Sequence, residues 1–156
     1  MKNFRDGELL IEDGTTPTAL DVTVQYEAGD FSISGLSAGL KEVATYLDRG
    51  DLGSLRHTNV TFPSVSFTAH ATDYSDATEE TLPDIIMQRG SKSAAVSTLG
   101  ANAEVYTLKL TWQITEPGGG THTVVCDDVR WTIDMSEGDG NSFAISGTVY
   151  GSVTMT

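Results

Sequence analysis

Residues 35–39 read GLSAG, and Gly-x-Ser-x-Gly is the spacing that lifts a serine onto a sharp strand-to-helix turn where its hydroxyl can act as a nucleophile. Ser37 is therefore the first residue that could do chemistry. Its flanks fit locally, since "DFSI" can be a strand and "LKEVATYL" a short helix. The motif works only on a wide, mostly parallel sheet covered by helices, so the rest of the chain decides. The three histidines, His57, His70 and His122, show neither i, i+4 nor His-x-His spacing, which metal sites use. His70 and His122 fall on polar strand faces. In "SEGDGNS", Glu137, Asp139 and Asn141 alternate, but the stretch lacks the length and closing glutamate of an EF-hand and reads as a hairpin turn. Asp127 and Asp128 are adjacent; neighbours in a regular strand point to opposite faces, so the pair cannot share a substrate atom. No catalytic residue, metal ligand or cofactor is expected, and the chain reads as a non-enzyme.

The elements that would position these residues are strands. Phe143, Ile145, Gly147, Val149, Gly151, Val153 and Met155 occupy odd positions between small polar residues, the period of a half-buried strand. Tyr106, Leu108, Leu110, Trp112 and Ile114 repeat the pattern before the turn "EPGGGT". Val125, Val129, Trp131, Ile133 and Met135 then share one face, opposed by His122, Asp128, Arg130, Thr132 and Asp134. Short polar turns make these three strands an antiparallel meander. Leu20, Val22, Val24 and Tyr26 suggest a strand that turns through "EAGD" into Phe31 and Ile33 as a hairpin, and Val65, Phe67, Ala69 and Ala71 suggest another after Pro63. Only "TLPDIIMQRG" asks for a helix: Thr81 can cap it with Asp84, Leu82, Ile85 and Ile86 form its stripe, and Gly90 stops it.

One helix cannot wrap a parallel sheet. The expected fold is mainly β, an antiparallel sandwich or barrel with one short flanking helix at about residues 81–89 and a long loop at 34–59. That fold removes the context Ser37 needs, and Gly35 and Gly39 then bracket a bend. The 156 residues suit a single domain, 1–156, with residues 1–17 flexible or ordered on assembly.

Nine Lys and Arg against 22 Asp and Glu give a net charge of −13, which excludes a basic groove that neutralises phosphates. A lone cysteine, Cys126, excludes an internal disulfide and reads as a core residue of a protein made in a reducing compartment. No apolar run approaches the roughly 20 residues of a membrane span, and "MKNFRDGELL" lacks the apolar stretch of a signal peptide. The expected product is soluble, does not insert in a membrane, and is not exported by a conventional signal.

Three stretches in order carry a resemblance: "DGTTPTALDVTVQYEAGDFSISG", then "YLDRGDLGSLRHTNVTFPSVSFTAHAT", with its Asp-Arg-Gly turn and Arg56, then the helix "TLPDIIMQRG" before the closing strand pairs. In this order of elements, over most of residues 10–156, the chain resembles the tail tube proteins (major tail proteins) of long-tailed bacteriophages and, more distantly, the tube protein of type VI secretion systems. The resemblance implies a virion protein of the phage tail, assembled in the host cytoplasm as stacked hexameric rings. It also implies a hollow conduit for genome delivery, with tape measure, tail terminator and distal tail proteins as partners. The acidity fits a bore that DNA passes without sticking.

The excursion 34–59 is too long for a plain connection and holds Lys41, Asp48, Arg49, Asp51 and Arg56, the expected subunit and ring-to-ring contacts. Asp21, Asp128 and Asp134, on polar strand faces, are the candidates for lining the lumen. The alternative reading is a carbohydrate-binding β-sandwich, which would present Trp112 and Trp131 to solvent; both instead fall on apolar faces, where tryptophans serve as core.

Overall fold

Alternating sequence becomes strand throughout the residues described by the computed structural model: 7–24, 30–36, 41–70, 82–116, 118–135 and 142–156. The strands are β1 (Gly7–Glu12), β2 (Asp21–Val24), β3 (Ser32–Ser34), β4 (Lys41–Asp48), β5 (Asp51–Val60), β6 (Ser64–His70), β7 (Leu108–Thr115), β8 (Thr121–Met135), β9 (Ser142–Val149) and β10 (Val153–Met155), with one short helix, α1 (Leu82–Met87). Pairing is antiparallel in the order β2-β1-β7-β8-β9-β6-β3, with β10 also on β8, while β4 and β5 form a separate ribbon. The fold is thus mainly β as expected, and its main sheet ends in two edges, β2 and β3, without closing into a barrel.

The sheet curls strongly. Phe31, just before β3, lies 5.1 Å from Trp112 of β7 between ring centroids, whereas four strand spacings in a flat sheet would hold β3 and β7 about 19 Å apart. The concave face gathers one core: Leu9, Ile11, Val22, Val24, Leu108, Leu110 and Cys126 from one half, and Val65, Phe67, Trp131, Phe143, Ile145 and Val149 from the other. Leu82, Ile85 and Ile86 of α1 join it, and the Tyr106 hydroxyl donates to the Ile85 carbonyl at 2.7 Å.

The curl depends on an irregularity in β8. Leu108 pairs with Val129 and Leu110 with Cys126, so two extra-spaced residues, Asp127 and Asp128, oppose Lys109, and Asp128 takes φ 52°. This bulge bends the strand and changes which parity faces inward. Before it, Cys126 is core; after it, Val129 and Trp131 are. The even alternation expected for residues 122–135 is therefore corrected: Val125 leaves the apolar face, and His122 joins the face of Ile114, its cross-strand partner. The strand expected over 143–155 breaks opposite the bulge, where Tyr150 and Gly151 donate backbone N–H groups to the Asp128 and Asp127 carbonyls at 3.1 Å each.

Other expectations change for similarly local reasons. Residues 7–12, taken as part of a flexible or assembly-ordered N-terminus, form the strand between β2 and β7, because Leu9 and Ile11 are fully buried. With β1 available, β2 pairs with it and β3 pairs with β6, so the expected β2–β3 hairpin is not formed. The long loop 34–59 contains the β4–β5 hairpin. The helix ends at Met87, and Gln88 just past it takes φ 51°, two residues before Gly90; Arg89 N–H closes back on the Asp84 carbonyl at 2.9 Å, a Schellman closure. Asp84 is buried and accepts Arg89 Nε at 3.0 Å, while Thr81, its expected capping partner, lies outside the described residues. The β7–β8 turn and both tryptophans behave as expected: Glu116 N–H bonds the Gly120 carbonyl at 2.7 Å, and Trp131 packs edge-on against Phe67 at 5.7 Å.

Gly147 makes that last contact possible. It sits in β9 opposite both Trp131 and Val65, and a Cβ there would meet Val129 Cγ1 at 2.7 Å and Trp131 Cε3 at 2.9 Å. Gly147→Ala is expected to cost about 1–3 kcal/mol by overpacking, read as a lower urea midpoint at unchanged slope; an unchanged midpoint would show that the indole is not held against β9.

Candidate assembly surfaces

The β4–β5 hairpin is built by a two-residue turn: Arg49 at φ 51° and Gly50 at φ 93° supply the paired positive φ values that match strand twist in a tight hairpin. Its register places Val43 opposite His57, Thr45 opposite Leu55 and Leu47 opposite Leu52, which gathers Val43, Leu47, Leu52 and Leu55 on one face. Ala44, Tyr46, Ser54 and Arg56 form the other, where the Arg56 guanidinium lies 5.9 Å from the Tyr46 ring centre. Among the described residues nothing covers the apolar face. Leu47 is 65% exposed, Leu52 60% and Leu55 58%.

All five residues expected at subunit contacts, Lys41, Asp48, Arg49, Asp51 and Arg56, lie on this hairpin and are exposed. Asp48 and Asp51 face each other directly across the turn. The apolar row between them was legible in the alternation of Val43, Thr45 and Leu47 and in a turn flanked by leucines, a pattern the reading of 34–59 as a loop passed over.

A second surface is the end of the concave face beside the β7–β8 turn. Trp112, Ile114, His122, Val124 and Met155 line a cavity of about 300 Å³ there. All belong to the core-facing side, since Trp112 pairs with Val124 and Met155 with Val124. The core is sealed toward α1 but here ends in Met155, 59% exposed. The His122 Nε2 atom lies 3.3 Å from Glu116 Oε1 at the rim, so His122 faces this apolar end, not a polar strand face.

A third concavity, of about 400 Å³, lies over the bulge and is lined by Asp13, Thr15, Thr98, Lys109, Asp127, Asp128 and Ser152, among others. The bulge overturns the expectation that Asp127 and Asp128 point apart: both border this hollow. Ser152 Oγ donates to Asp127 and Thr98 Oγ1 to Asp128, each at 2.7 Å, and Lys109 is paired with Glu12 at 2.6 Å. Asp13, 5% exposed, accepts Leu20 N–H at 2.7 Å, Val96 N–H at 2.9 Å and both the N–H and hydroxyl of Thr15. Gly14 beneath it touches the 96–98 strap so closely that a Cβ would fall 2.2 Å from the Ser97 carbonyl oxygen. These bonds are spent within the fold, and among the described residues no three His, Cys, Asp or Glu side chains gather to hold a metal.

The acids expected at a lumen stand apart. Asp21 opens the edge strand β2 and is exposed, Asp134 is exposed near the far end of β8, and Asp128 is half-buried at the bulge. Ser37, Glu137, Asp139 and Asn141 lie outside the described residues, as does the side chain of His70.

No protein-family model matches the chain, and no curated protein matches it. Among solved structures it is similar to a chain in the cryo-EM structure of the anti-feeding prophage (AFP) baseplate, 6-fold symmetrised, with a TM-score of 0.45 and 12% identity over 96% of this chain and 91% of that one.

Burial alone would raise the Asp13 carboxyl, but the hydrogen bonds from Thr15, Val96 and Leu20 outweigh it and hold it below its ordinary value of 3.8. A depressed folded value contributes stability that is complete above the ordinary value and is lost as pH falls through the folded one. Asp13→Asn is therefore expected to cost about 2 kcal/mol at neutral pH, with the gap from the parent narrowing only in acid below the ordinary aspartate range. Denaturant titrations across pH check this, and a gap that stays constant into strong acid would contradict it.

Proposed function

We propose that this chain is a structural virion protein, not an enzyme. Its copies form stacked, six-membered rings of a phage tail tube, an acidic conduit through which the genome passes. On this reading it resides in the virion tail after assembly in the host cytoplasm, and it meets the tape measure, tail terminator and distal tail proteins. No cofactor is needed.

The observation that carries the reading is the uncovered β4–β5 hairpin. A lone two-stranded ribbon is at best marginally stable in water, and contiguous exposed apolar surface marks an interaction site. Val43, Leu47, Leu52 and Leu55 are each more than half exposed, and burying each such side chain against a neighbour stabilises by about 1.5 kcal/mol or more. The two sheet edges, β2 and β3, offer further places for copies to join. The net charge of −13 suits a wall that repels phosphates. A secretion tube of the type VI kind would draw on the same surfaces. The carbohydrate-binding alternative is disfavoured because Trp131 is 9% exposed and Trp112 is half-buried, packed against Phe31 and the core.

Attraction here is apolar and repulsion electrostatic, the latter limited by screening to about 8 Å at physiological ionic strength. Negative-stain microscopy of concentrated protein is expected to show rings or tubes, and light scattering to show that added salt favours them. Assemblies that dissolve as salt rises, or glycan-binding monomers at every concentration, would contradict the proposal.

A further inference from the structure

Both ends of the main sheet carry a charged side chain bonded to the main chain of a strand. At one end β3 covers β6 only from Ser64 to Ser66. The main-chain groups of a strand address alternate neighbours, so the Thr68 N–H points to the same side as those of Ser64 and Ser66, just past the strand that would receive it. The register of β3 on β6, carried two residues further, sets Asp30 opposite Thr68. The Asp30 carboxylate takes the missing place: its Oδ1 accepts the Thr68 N–H at 3.0 Å. Phe31, next in the chain, packs on Trp112 and holds Asp30 beside β6.

The other end is β2. The Asp13 N–H bonds the Leu20 carbonyl, and by the same alternation Val22 and Val24 address β1 while Asp21 and Thr23 turn their main-chain groups outward. Lys92, only 3% exposed, donates from Nζ to the Asp21 carbonyl at 3.0 Å. A buried ammonium is costly unless hydrogen-bonded, and one of its donors is committed to the edge of the sheet.

An acceptor set on an N–H and a donor set on a carbonyl occupy the two kinds of group that an added strand would use. We propose that Asp30 and Lys92 are edge guards, autoinhibitory contacts that hold both ends of the main sheet closed to strand addition by an extended chain, a second copy of this protein included. An incoming strand gains its ladder only after displacing them. The guards act on any extended chain and so do not depend on the copies building a tube.

The full chain tests this with paired variants. Asp30→Ala removes the acceptor and Asp30→Asn keeps one, while both remove the same charge, so repulsion between copies is equal in the two. By light scattering, Asp30→Ala is expected to self-associate at a concentration about fivefold or more below that of Asp30→Asn, the order of one hydrogen bond. Amide hydrogen exchange locates the contact: the Thr68 N–H is expected to exchange faster in monomeric Asp30→Ala than in Asp30→Asn, and to be protected again in the Asp30→Ala assemblies. Lys92→Met keeps the apolar stem and loses the donor; it is expected to lower the onset likewise, with the Thr23 N–H protected on association. Should Lys92→Met lose the circular dichroism spectrum of the parent, the Asp30 pair decides alone. Equal onsets for Asp30→Ala and Asp30→Asn, absence of association in both included, overturn the proposal, as does a Thr68 amide that stays fast in the Asp30→Ala assemblies.

Discussion

The bulge at Asp127–Asp128 is the constraint on which the rest of the structure depends. β8 serves two halves of a curled sheet, pairing with β7 through its first part and with β9 through its last. A straight strand of its 15 residues would keep one parity inward and lie too flat to bring Phe31 onto Trp112. Two residues set against one turn the strand and exchange the inward parity, so Cys126 and Val129, three apart, are both fully buried. Aspartate tolerates the left-handed conformation better than most residues, and Asp128 adopts it. Its carboxylate accepts Thr98, whose hydroxyl also meets Thr107, which in turn meets Ser97. One residue before Ser97, the Val96 N–H reaches Asp13. A continuous line of hydrogen bonds thus links the bend in β8 to the corner between β1 and β2.

How much of this was legible depended on the range of the pattern. Period-two runs with clear turn residues, such as Leu108 to Ile114 before "EPGGGT", could be read directly, because local alternation and local turn chemistry agree. The bulge could not, since "VVCDDVR" satisfies alternation in either parity and only pairing with β7 decides between them. β1 was missed because "GELLIE" offers Leu9, Leu10 and Ile11 in a run, without the alternation that announces a strand. Its sandwiched position between β2 and β7 is a long-range property. The hairpin's charges stand out in the sequence and its apolar row does not, because a stretch long enough for a loop is equally long enough for a ten-residue strand facing an eight-residue one.

The same economy explains why the polar groups of the bulge hollow are satisfied within the fold while the charges of the hairpin stay exposed. Around Asp13 the carboxylate is buried, and every oxygen-directed bond returns to the backbone or hydroxyls of its own fold, as burial of a charge demands. On the hairpin, Asp48, Arg49, Asp51, Lys41 and Arg56 form no ion pair among the described residues, and exposed charges cost little to leave so. Interior polar groups are satisfied at home; the exposed apolar row is what lacks a counterpart.

On the proposed assembly, copies charged at −13 must meet through surfaces that do not bring their acidic bodies into contact everywhere at once. A ten-residue strand extends about 33 Å, several times the screening length of about 8 Å at physiological ionic strength. An arm of that reach, neutral along its length, can bury leucines in a neighbour while much of the two acidic surfaces stays beyond the range at which they repel. A cationic arm would bind the neighbour more strongly but would also attract any polyanion passing nearby. On the proposed reading, neutrality at the arm and acidity elsewhere separate two tasks that a uniformly charged surface would set against each other: holding copies together and refusing nucleic acid.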